Sequence, residues 1–334
     1  MKRNPQILFP TFLISRVKRA KNEAEKPMLQ RTIRGLAIAF LCLVANGAKS
    51  FELTEIAPGV FVHQGVTALM SRDNLGGIAN LGAIVGAEAV AVIDTGGSRA
   101  EGEAFLAALQ QRTTKPIRYV IDTHVHPDHI FGNIAFRDTG AVFVGHKNLP
   151  RAMATRGPHY LSSFRETMGA LLDDVILVPP TLTVERETIL DLGGRKIALK
   201  AWRTAHSDSD LTVLDPQSGT LFTGDLLFLQ HVPIIDGSLL GFLSVIEELR
   251  KIEAVRVVPG HGPAVAPWPQ ALEAQKAYLD HLTRDLRADI ARGETLARAV
   301  TTAGRGEKPN WLLFEDYHTR NATAGFAELE WEAP

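Results

Sequence analysis

The chain has 334 residues, of which 45% are hydrophobic, and its formal net charge at pH 7 is −1. This length and composition predict one large globular domain, or one such domain with an appendage. A nucleic-acid-binding protein presents basic surface to the phosphates, so the balanced charge argues against nucleic-acid partners.

The N-terminal region, residues 1–50, is predicted to be an extension that ends in a signal peptide. The apolar run Gly35–Ala45 follows Arg31 and Arg34 and precedes small and polar residues. A basic flank and a short apolar core are typical of secretory signal peptides, and the run is short for a membrane span. We therefore expect a periplasmic or secreted protein.

Cleavage is expected after Gly47 or Ser50, which would remove Cys42, the single cysteine of the chain. A product without cysteine suits an oxidising compartment. The alternative is an uncleaved anchor, in which case the protein would meet a membrane through this segment alone. Residues 1–27 are basic and unpatterned, which favours Met28 as the start of translation.

From residue 51 onward, the pattern of apolar and polar residues predicts strands that lead into a helix. The predicted elements are a first strand with a turn at Pro58-Gly59, two paired strands and a helix, at Glu52–Gln64, Ile78–Val85, Ala89–Asp94 and Arg99–Arg112.

The motif Thr-His-Val-His-Pro-Asp-His follows an apolar segment, so it lies at the end of a predicted strand. His124 and His126 point the same way in an extended segment, whereas Pro127 redirects the backbone before Asp128 and His129. Imidazole and carboxylate groups suit zinc, and also iron or manganese. One loop does not easily wrap four ligands around one ion, so the motif predicts two ions side by side.

Three more ligand-type residues follow or end predicted strands: His206, Asp225 and His261. Short turns with glycine let such side chains project from a rigid sheet edge. Asp225 and His261 have a plainer alternative as turn residues. Packing all these groups together without a cation would leave buried polar groups unsatisfied. We therefore predict that they converge on a metal centre.

The rest of the chain alternates strands with helical segments. A strand, a helical insertion with a break at Gly157-Pro158, two hairpins, a helix and three C-terminal helices are predicted at Ala141–Gly145, Asn148–Leu172, Glu185–Trp202, Leu211–Thr223, Leu240–Ala254, Gln270–Arg292, Glu294–Thr302 and Asn310–Arg320. The loop Leu226–Gly241 carries His231 and Asp236 beside the predicted site. Both are candidate substrate contacts, with loop structure as the alternative.

The order His-x-His-x-Asp-His, a distant histidine, an aspartate and a last histidine resembles the signature of the metallo-β-lactamase superfamily of binuclear metallohydrolases. The resemblance implies an αββα sandwich over residues 51–268, with metals in a cleft along one sheet edge. Residues 269–334 are then a helical C-terminal extension packed on the sandwich. In relatives a hairpin loop overhangs the metals, so Met70–Gly77 is a candidate flap and Asn74 a candidate substrate contact.

The same resemblance implies two Zn²⁺ ions per chain. One ion would be held by His124, His126 and His206. The other ion would be held by Asp128, His129 and His261. Asp225 would bridge the ions together with a shared hydroxide that attacks the substrate. Asp94 matches a strand-end aspartate of the family that supports the metal loop. Asp128 and Asp94 are the predicted catalytic residues.

Within the superfamily, the chain is most similar to the periplasmic quinoprotein relay system zinc metallohydrolases, in the segments Ile56–Phe61, Val92–Ser98 and His231–Ser238. This similarity implies an exported hydrolase that cleaves an ester, thioester or related bond of a small molecule, in association with a periplasmic quinoprotein system. Asp225 argues against a true β-lactamase, because the matching position there is usually not a bridging carboxylate.

Other chemistries stay open. Relatives with these ligands also hold iron, so an iron-dependent oxygenase similar to the persulfide dioxygenases is one alternative, and a β-lactamase is another. A binding protein with an inactive site is disfavoured because no ligand is missing. Metal analysis separates a hydrolase from an oxygenase, since two zinc ions per chain favour hydrolysis and one iron favours oxygenation.

Overall fold

The computed structural model describes residues 51–332. The predicted signal peptide, its cleavage site and the start at Met28 lie outside the described residues. Among the helices that are described, none combines the length and apolarity that a membrane crossing requires.

Two sheets form the middle of the described chain. The first has seven strands in the order β1 to β7, which are Thr54–Ala57, Val60–His63, Leu81–Val85, Val90–Ile93, Ile117–Ile121, Val142–His146 and Leu182–Val184. Strands β1 to β4 pair antiparallel, and β4 to β7 pair in parallel.

The second sheet has six strands in the described chain, in the spatial order β13-β12-β11-β10-β9-β8. From β8 to β13 these strands are Glu187–Asp191, Lys196–Ala201, Leu211–Asp215, Thr220–Phe228, Arg256–His261 and Ala266–Pro267. Strands β11 and β12 are parallel and the other pairs antiparallel. Parallel neighbours end at the same sheet edge, which brings the residues after them together.

Apolar side chains from both sheets fill the space between them. Val62 and Ile93 of the first sheet share one buried cluster with Leu199 of the second. The sheets approach closely at Gly82, where an added Cβ would lie 2.3 Å from the Phe222 ring. Burial of this apolar surface is the main force that joins the two sheets.

Helices cover both outer faces. The described α-helices, α1 to α9, are Arg99–Gln110, Pro127–Ile130, Asn133–Phe136, Leu149–Ser163, Arg165–Met168, Leu239–Leu249, Leu272–Ala291, Leu296–Thr302 and Phe314–Leu329. Phe105 of α1 packs on the first sheet, and Phe242 of α6 and Leu279 of α7 pack on the second. The predicted αββα sandwich with helical C-terminal material is therefore confirmed.

Two predictions about the helices are wrong in detail. Helix α4 continues through Pro158, where the sequence predicts a break. A proline disfavours helical backbone before it partly by contact with the preceding Cβ, and Gly157 has no Cβ. A Cβ at Gly157 would also lie 2.0 Å from Leu177. Helix α9 begins at Phe314 because Asn310 ends a 3-10 helix that precedes it.

A buried ion pair of the second sheet also makes hydrogen bonds to the first sheet. Arg195 Nη2 lies 2.5 Å from Asp215 Oδ2, and both side chains are at most 5% exposed. The same guanidinium donates from Nη1 to the carbonyl oxygens of Pro58 and Val85, at 3.0 and 2.9 Å. The guanidinium thus pairs with a carboxylate of the second sheet and with two carbonyl oxygens from the first.

Arg195→Met should therefore destabilise the protein strongly, because Asp215 would stay buried without its partner. We expect the free energy of unfolding to fall by about 3–5 kcal/mol in urea denaturation. Arg165→Met is the matched control: its pair with Asp173 is 59% exposed on both sides, and such pairs contribute about 0–1 kcal/mol. Equal losses in the two variants would contradict this role for Arg195.

Candidate metal centre and substrate pocket

Four places along one edge of the sandwich supply the candidate ligands. The loop and helix after β5, the loop before β10, strand β11 and the end of β12 carry His124, His126, Asp128, His129, His206, Asp225 and His261. All seven are at most 9% exposed. They form two groups. The first group is His124, His126, His206 and Asp225, and the second group is Asp128, His129 and His261. Ligand atoms within each group lie within 4.8 Å of one another.

Two glycines allow close packing around Asp225, one against its carboxylate and one against Thr123. A Cβ at Gly260 would lie 2.0 Å from Asp225 Oδ1. Gly224, with φ of 50°, sits against Thr123, and a Cβ there would lie 2.5 Å from its Oγ1. Larger residues at these two positions would push the strands away from the carboxylate.

In the first group, three histidines each present one ring nitrogen toward the others. His126 Nδ1 lies 2.8 Å from His206 Nε2 and 3.1 Å from His124 Nε2. Asp225 Oδ2 lies 3.4 Å from His206 Nε2 and 3.6 Å from His124 Nε2. Burial lowers the pKa of His206 to about 3, so its Nε2 keeps the lone pair that a metal needs.

The second group surrounds the other oxygen of Asp225. Asp128 Oδ2 lies 3.2 Å from His261 Nε2 and 3.4 Å from His129 Nε2. Asp225 Oδ1 lies 3.2 Å from His129 Nε2 and 3.3 Å from His261 Nε2. Asp225 therefore directs one oxygen to each group, which is the arrangement that a bridging carboxylate needs.

The charges and unpaired atoms of this site fit metal ions. His129 Nε2 and Asp225 Oδ1 are buried and make no hydrogen bond, although they lie 3.2 Å apart. Burial opposes a positive charge on His261, yet the Asp225 and Asp128 carboxylates outweigh it and raise its pKa to about 9. The carboxylates thus favour a cation between them. Imidazole nitrogens with carboxylate oxygens match the donors that Zn²⁺ prefers, so both groups could bind metal ions.

The second nitrogen of each histidine faces an oxygen outside the cluster. The five pairs are His124 with Thr123 Oγ1 (3.1 Å), His126 with Asp236 Oδ2 (3.0 Å), His129 with Asp94 Oδ2 (2.8 Å), His206 with Ile234 O (2.8 Å) and His261 with Ile78 O (3.0 Å). Carbonyl and carboxylate oxygens only accept, so the histidines that face them carry the proton on the outer nitrogen. The inner nitrogen is then free to bind a metal.

Asp94 supports the metal loop without reaching the cluster itself. Its Oδ2 accepts hydrogen bonds from His129 Nδ1 and Thr123 Oγ1, and its Oδ1 accepts from the Thr123 amide at 2.8 Å. The residue has a φ of 56°, a conformation that costs free energy for any residue except glycine. The bonds to this carboxylate hold that backbone in place.

Asp236 lies on the metal centre's outer side, where it contacts a candidate ligand. Its Oδ2 accepts from His126 Nε2 at 3.0 Å and from Arg156 Nη1 at 2.6 Å, and its Oδ1 accepts from Arg320. Its amide also donates to the carbonyl of His206 at 2.9 Å. Burial opposes the charge of Asp236, but these partners hold its pKa well below the usual value. The structure thus gives the predicted substrate contact a supporting position.

Asn74 lies in the predicted flap, but its side chain makes hydrogen bonds to the backbone of its own turn. Its Oδ1 accepts from the amides of Ser71 and Gly76, at 2.9 and 3.0 Å, and its Nδ2 donates to the Leu69 carbonyl at 2.8 Å. Asn74 does not line the pocket described below, whereas Met70 of the flap does. The flap therefore presents apolar rather than amide groups to a substrate.

His231 lies in the wall of the pocket, beside the second group. Its ring lies 4.9 Å from the His261 ring and stacks on Tyr317 at 5.3 Å, with 2° between the planes. Nδ1 donates to the Val232 carbonyl at 2.6 Å, and the buried Nε2 has no hydrogen-bond partner in the described chain. His231 is thus the predicted substrate contact that the structure leaves with an unused acceptor.

A cavity of about 310 Å³ opens beside the two groups. Besides candidate ligands, its wall is formed by residues of the flap, of the α4–α5 region, of the loop after β11 and of α9, among them Met70, Tyr160, Phe164, Thr167, His231, Tyr317 and Arg320. Sequence reasoning missed the residues from α4, α5 and α9. They are far from the motif along the chain, and no spacing rule links them to it.

The fold resembles solved metallo-β-lactamases. One from Pontibacter korlensis is 21% identical with a TM-score of 0.56, over 69% of this chain and 98% of that chain. One from Hirschia baltica is 20% identical with a TM-score of 0.54, over 68% and 96%. The sec-alkylsulfatase Pisa1 from Pseudomonas sp. is 15% identical with a TM-score of 0.63, over 82% and 49%, so this chain spans about half of that protein. At these identities the likeness concerns the fold.

No curated protein matches the sequence. The family model of the metallo-beta-lactamase superfamily matches residues 75–261, which is more than half of the chain. All seven candidate ligands lie within this range. The chain therefore belongs to the metallo-β-lactamase superfamily, whose members are mostly metal-dependent hydrolases.

Proposed function

We propose that the protein is an exported binuclear zinc hydrolase that cleaves an ester, thioester or related bond of a small molecule. The observation that carries this proposal is Asp225, whose two oxygens face two separate groups of buried ligands. A single ion in the first group would leave Asp128 and its two histidines buried without a metal. Two ions serve both groups.

The side chains have distinct tasks in this proposal. The first ion would be held by His124, His126 and His206, the second by Asp128, His129 and His261, and both by Asp225. Bound zinc polarises a carbonyl oxygen and lowers the pKa of coordinated water from about 15.7 to near 7. Asp94 and Asp236 keep His129 and His126 in the orientation that binding requires. Aromatic residues of α4 and α9 would limit the access of bulk water to the substrate.

Export and the subfamily are further parts of the proposal. The N-terminal apolar segment supports export to the periplasm, and the segment His231–Ser238 supports a relationship to the quinoprotein relay system metallohydrolases. That segment also holds the first group, through the Ile234 carbonyl and Asp236. N-terminal analysis of protein from the periplasmic fraction should find a first residue near 48–51. An intact N-terminus on cytoplasmic protein would overturn export.

The reaction class can be tested on purified protein of known metal content. We expect two zinc ions per chain and turnover of at least one member of a panel of esters, thioesters, lactones and β-lactams. One iron per chain, with oxygen consumed in the presence of a persulfide, would replace the proposal with the oxygenase alternative. Turnover of β-lactams alone would make the protein a β-lactamase.

Asp128→Ala should remove the carboxylate of the second group. The metal content should fall from two ions per chain toward one, measured by elemental mass spectrometry. Loss of a supporting residue alone costs about 10- to 100-fold in activity or affinity, so loss of a ligand should reduce kcat/KM by at least this factor. Asp138→Ala, which removes an exposed carboxylate, is the control. Full metal content with an unchanged rate would contradict the assignment of Asp128.

Asp236→Asn should weaken the first group without touching a ligand. The amide cannot match the charge that holds His126, so we expect metal affinity to fall by about 10- to 100-fold, measured by competition with a chelator. Asp173→Asn, in an exposed ion pair, is the control. Equal metal affinity in the two variants would show that Asp236 does not support His126.

A further inference from the structure

The walls of the pocket are mostly apolar. Met70 comes from the flap and Leu69 directly precedes it, while Phe164 follows α4, Ile234 lies in the loop after β11 and Tyr317 in α9. The cavity of about 310 Å³ is in the size range of small-molecule sites. A substrate that fills it must therefore carry a compact apolar part.

Arg320 adds a charge to this apolar wall. Among the described residues that line the pocket, it is the one charged side chain that is not a candidate metal ligand. The carboxylates in the wall, Asp128 and Asp225, belong to the two ligand groups. A substrate therefore meets no free negative charge in the pocket, and it meets one guanidinium that is about half exposed.

The charge of Arg320 is only partly compensated. Alternating charges run from Arg151 through Asp208, Arg156 and Asp236 to Arg320. This row holds three cations and two carboxylates, and Asp236 must serve both Arg156 and Arg320. Because Asp236 divides its charge between two arginines, Arg320 keeps part of its positive charge beside the pocket.

Arg320 also lies close to the candidate metal ligands. Its guanidinium binds Asp236, and the same carboxylate accepts from the candidate ligand His126. One carboxylate and one imidazole thus separate the guanidinium from the metal position. Tyr160 and Thr167 line the same pocket and add two hydroxyl-bearing side chains to its wall.

We propose that the substrate is a compact, largely apolar ester or thioester with one carboxylate a few bonds from the cleaved bond, and that Arg320 binds this carboxylate. This inference rests on the proposed hydrolase. It assigns α9, which lies outside the span matched by the family model, the role of choosing the substrate. Guanidinium groups suit this task because they bind carboxylates through two parallel hydrogen bonds.

A pair of probes tests the inference on the zinc-loaded protein. The probes are the 4-nitrophenyl monoester of adipic acid and its counterpart in which the free carboxyl is a carboxamide. We expect the carboxylate probe to have the higher kcat/KM, by about tenfold, since a hydrogen bond to a charged group is stronger than its neutral equivalent. Equal values for the two probes in the unchanged protein would overturn the inference.

Variants then test whether Arg320 causes the preference for the carboxylate probe. In Arg320→Gln the ratio of the two kcat/KM values should approach one, and in Arg320→Glu it should fall below one. The ratio cancels any general loss that the variants cause through Asp236 or the metals. Arg287→Gln removes a comparable arginine of the C-terminal region, paired with Glu332 and outside the pocket, and should keep the ratio of the unchanged protein. An unchanged ratio in Arg320→Gln would overturn the role of Arg320.

Binding separates this inference from the proposed reaction. If neither ester is hydrolysed, the hydrolase proposal fails for this class of bond, but the anion site can still be judged. Calorimetry with the corresponding anilides, which replace the ester by an amide bond, should give tighter binding of the carboxylate form. Arg320→Gln should abolish that difference. Equal dissociation constants for both anilides would contradict the carboxylate site.

Discussion

The structure depends on two buried carboxylates that share a small volume with five imidazoles. Asp128 and Asp225 both contact His261, and burial of like charges is costly unless a cation lies between them. A proton on His261 or His129 meets this need only in part, because five inner nitrogens also point into the same space. Metal ions would satisfy all of these groups at once, which would account for the burial of so many polar side chains at one edge of the sandwich.

The fold meets this constraint by anchoring three of the histidines on elements other than their own. His261 is held by Ile78 before β3, His206 by Ile234 after β11 and His129 by Asp94 after β4. The ligands therefore depend on the relative position of both sheets. The apolar layer between the sheets and the buried Arg195 pair fix that position. A substitution that weakens the packing between the sheets would therefore displace the candidate ligands.

The C-terminal helices belong to the site as much as the sandwich does. Helix α9 stacks Tyr317 on His231 and binds Arg320 to Asp236, which in turn holds His126. The span matched by the family model ends at residue 261, before any of these helices. The matched span thus supplies the ligands and the α4 part of the pocket wall, and helix α9 from outside that span completes the wall. This division explains how one set of ligands can serve different substrates.

The sequence by itself determined the order of the predicted strands and helices and the list of candidate ligands, because strand patterns and a short motif at strand ends are local properties of the chain, and the resemblance that those ligands carry implied the sandwich. It did not determine the path of α4 through Pro158, which rests on the missing Cβ of Gly157 and on packing against Leu177. Nor could it separate Asn74, which closes its own turn, from a substrate contact, or place Arg320 beside Asp236, 84 residues away. Contacts of that kind are set by how helices pack on the sheets, and tertiary packing alone decides them.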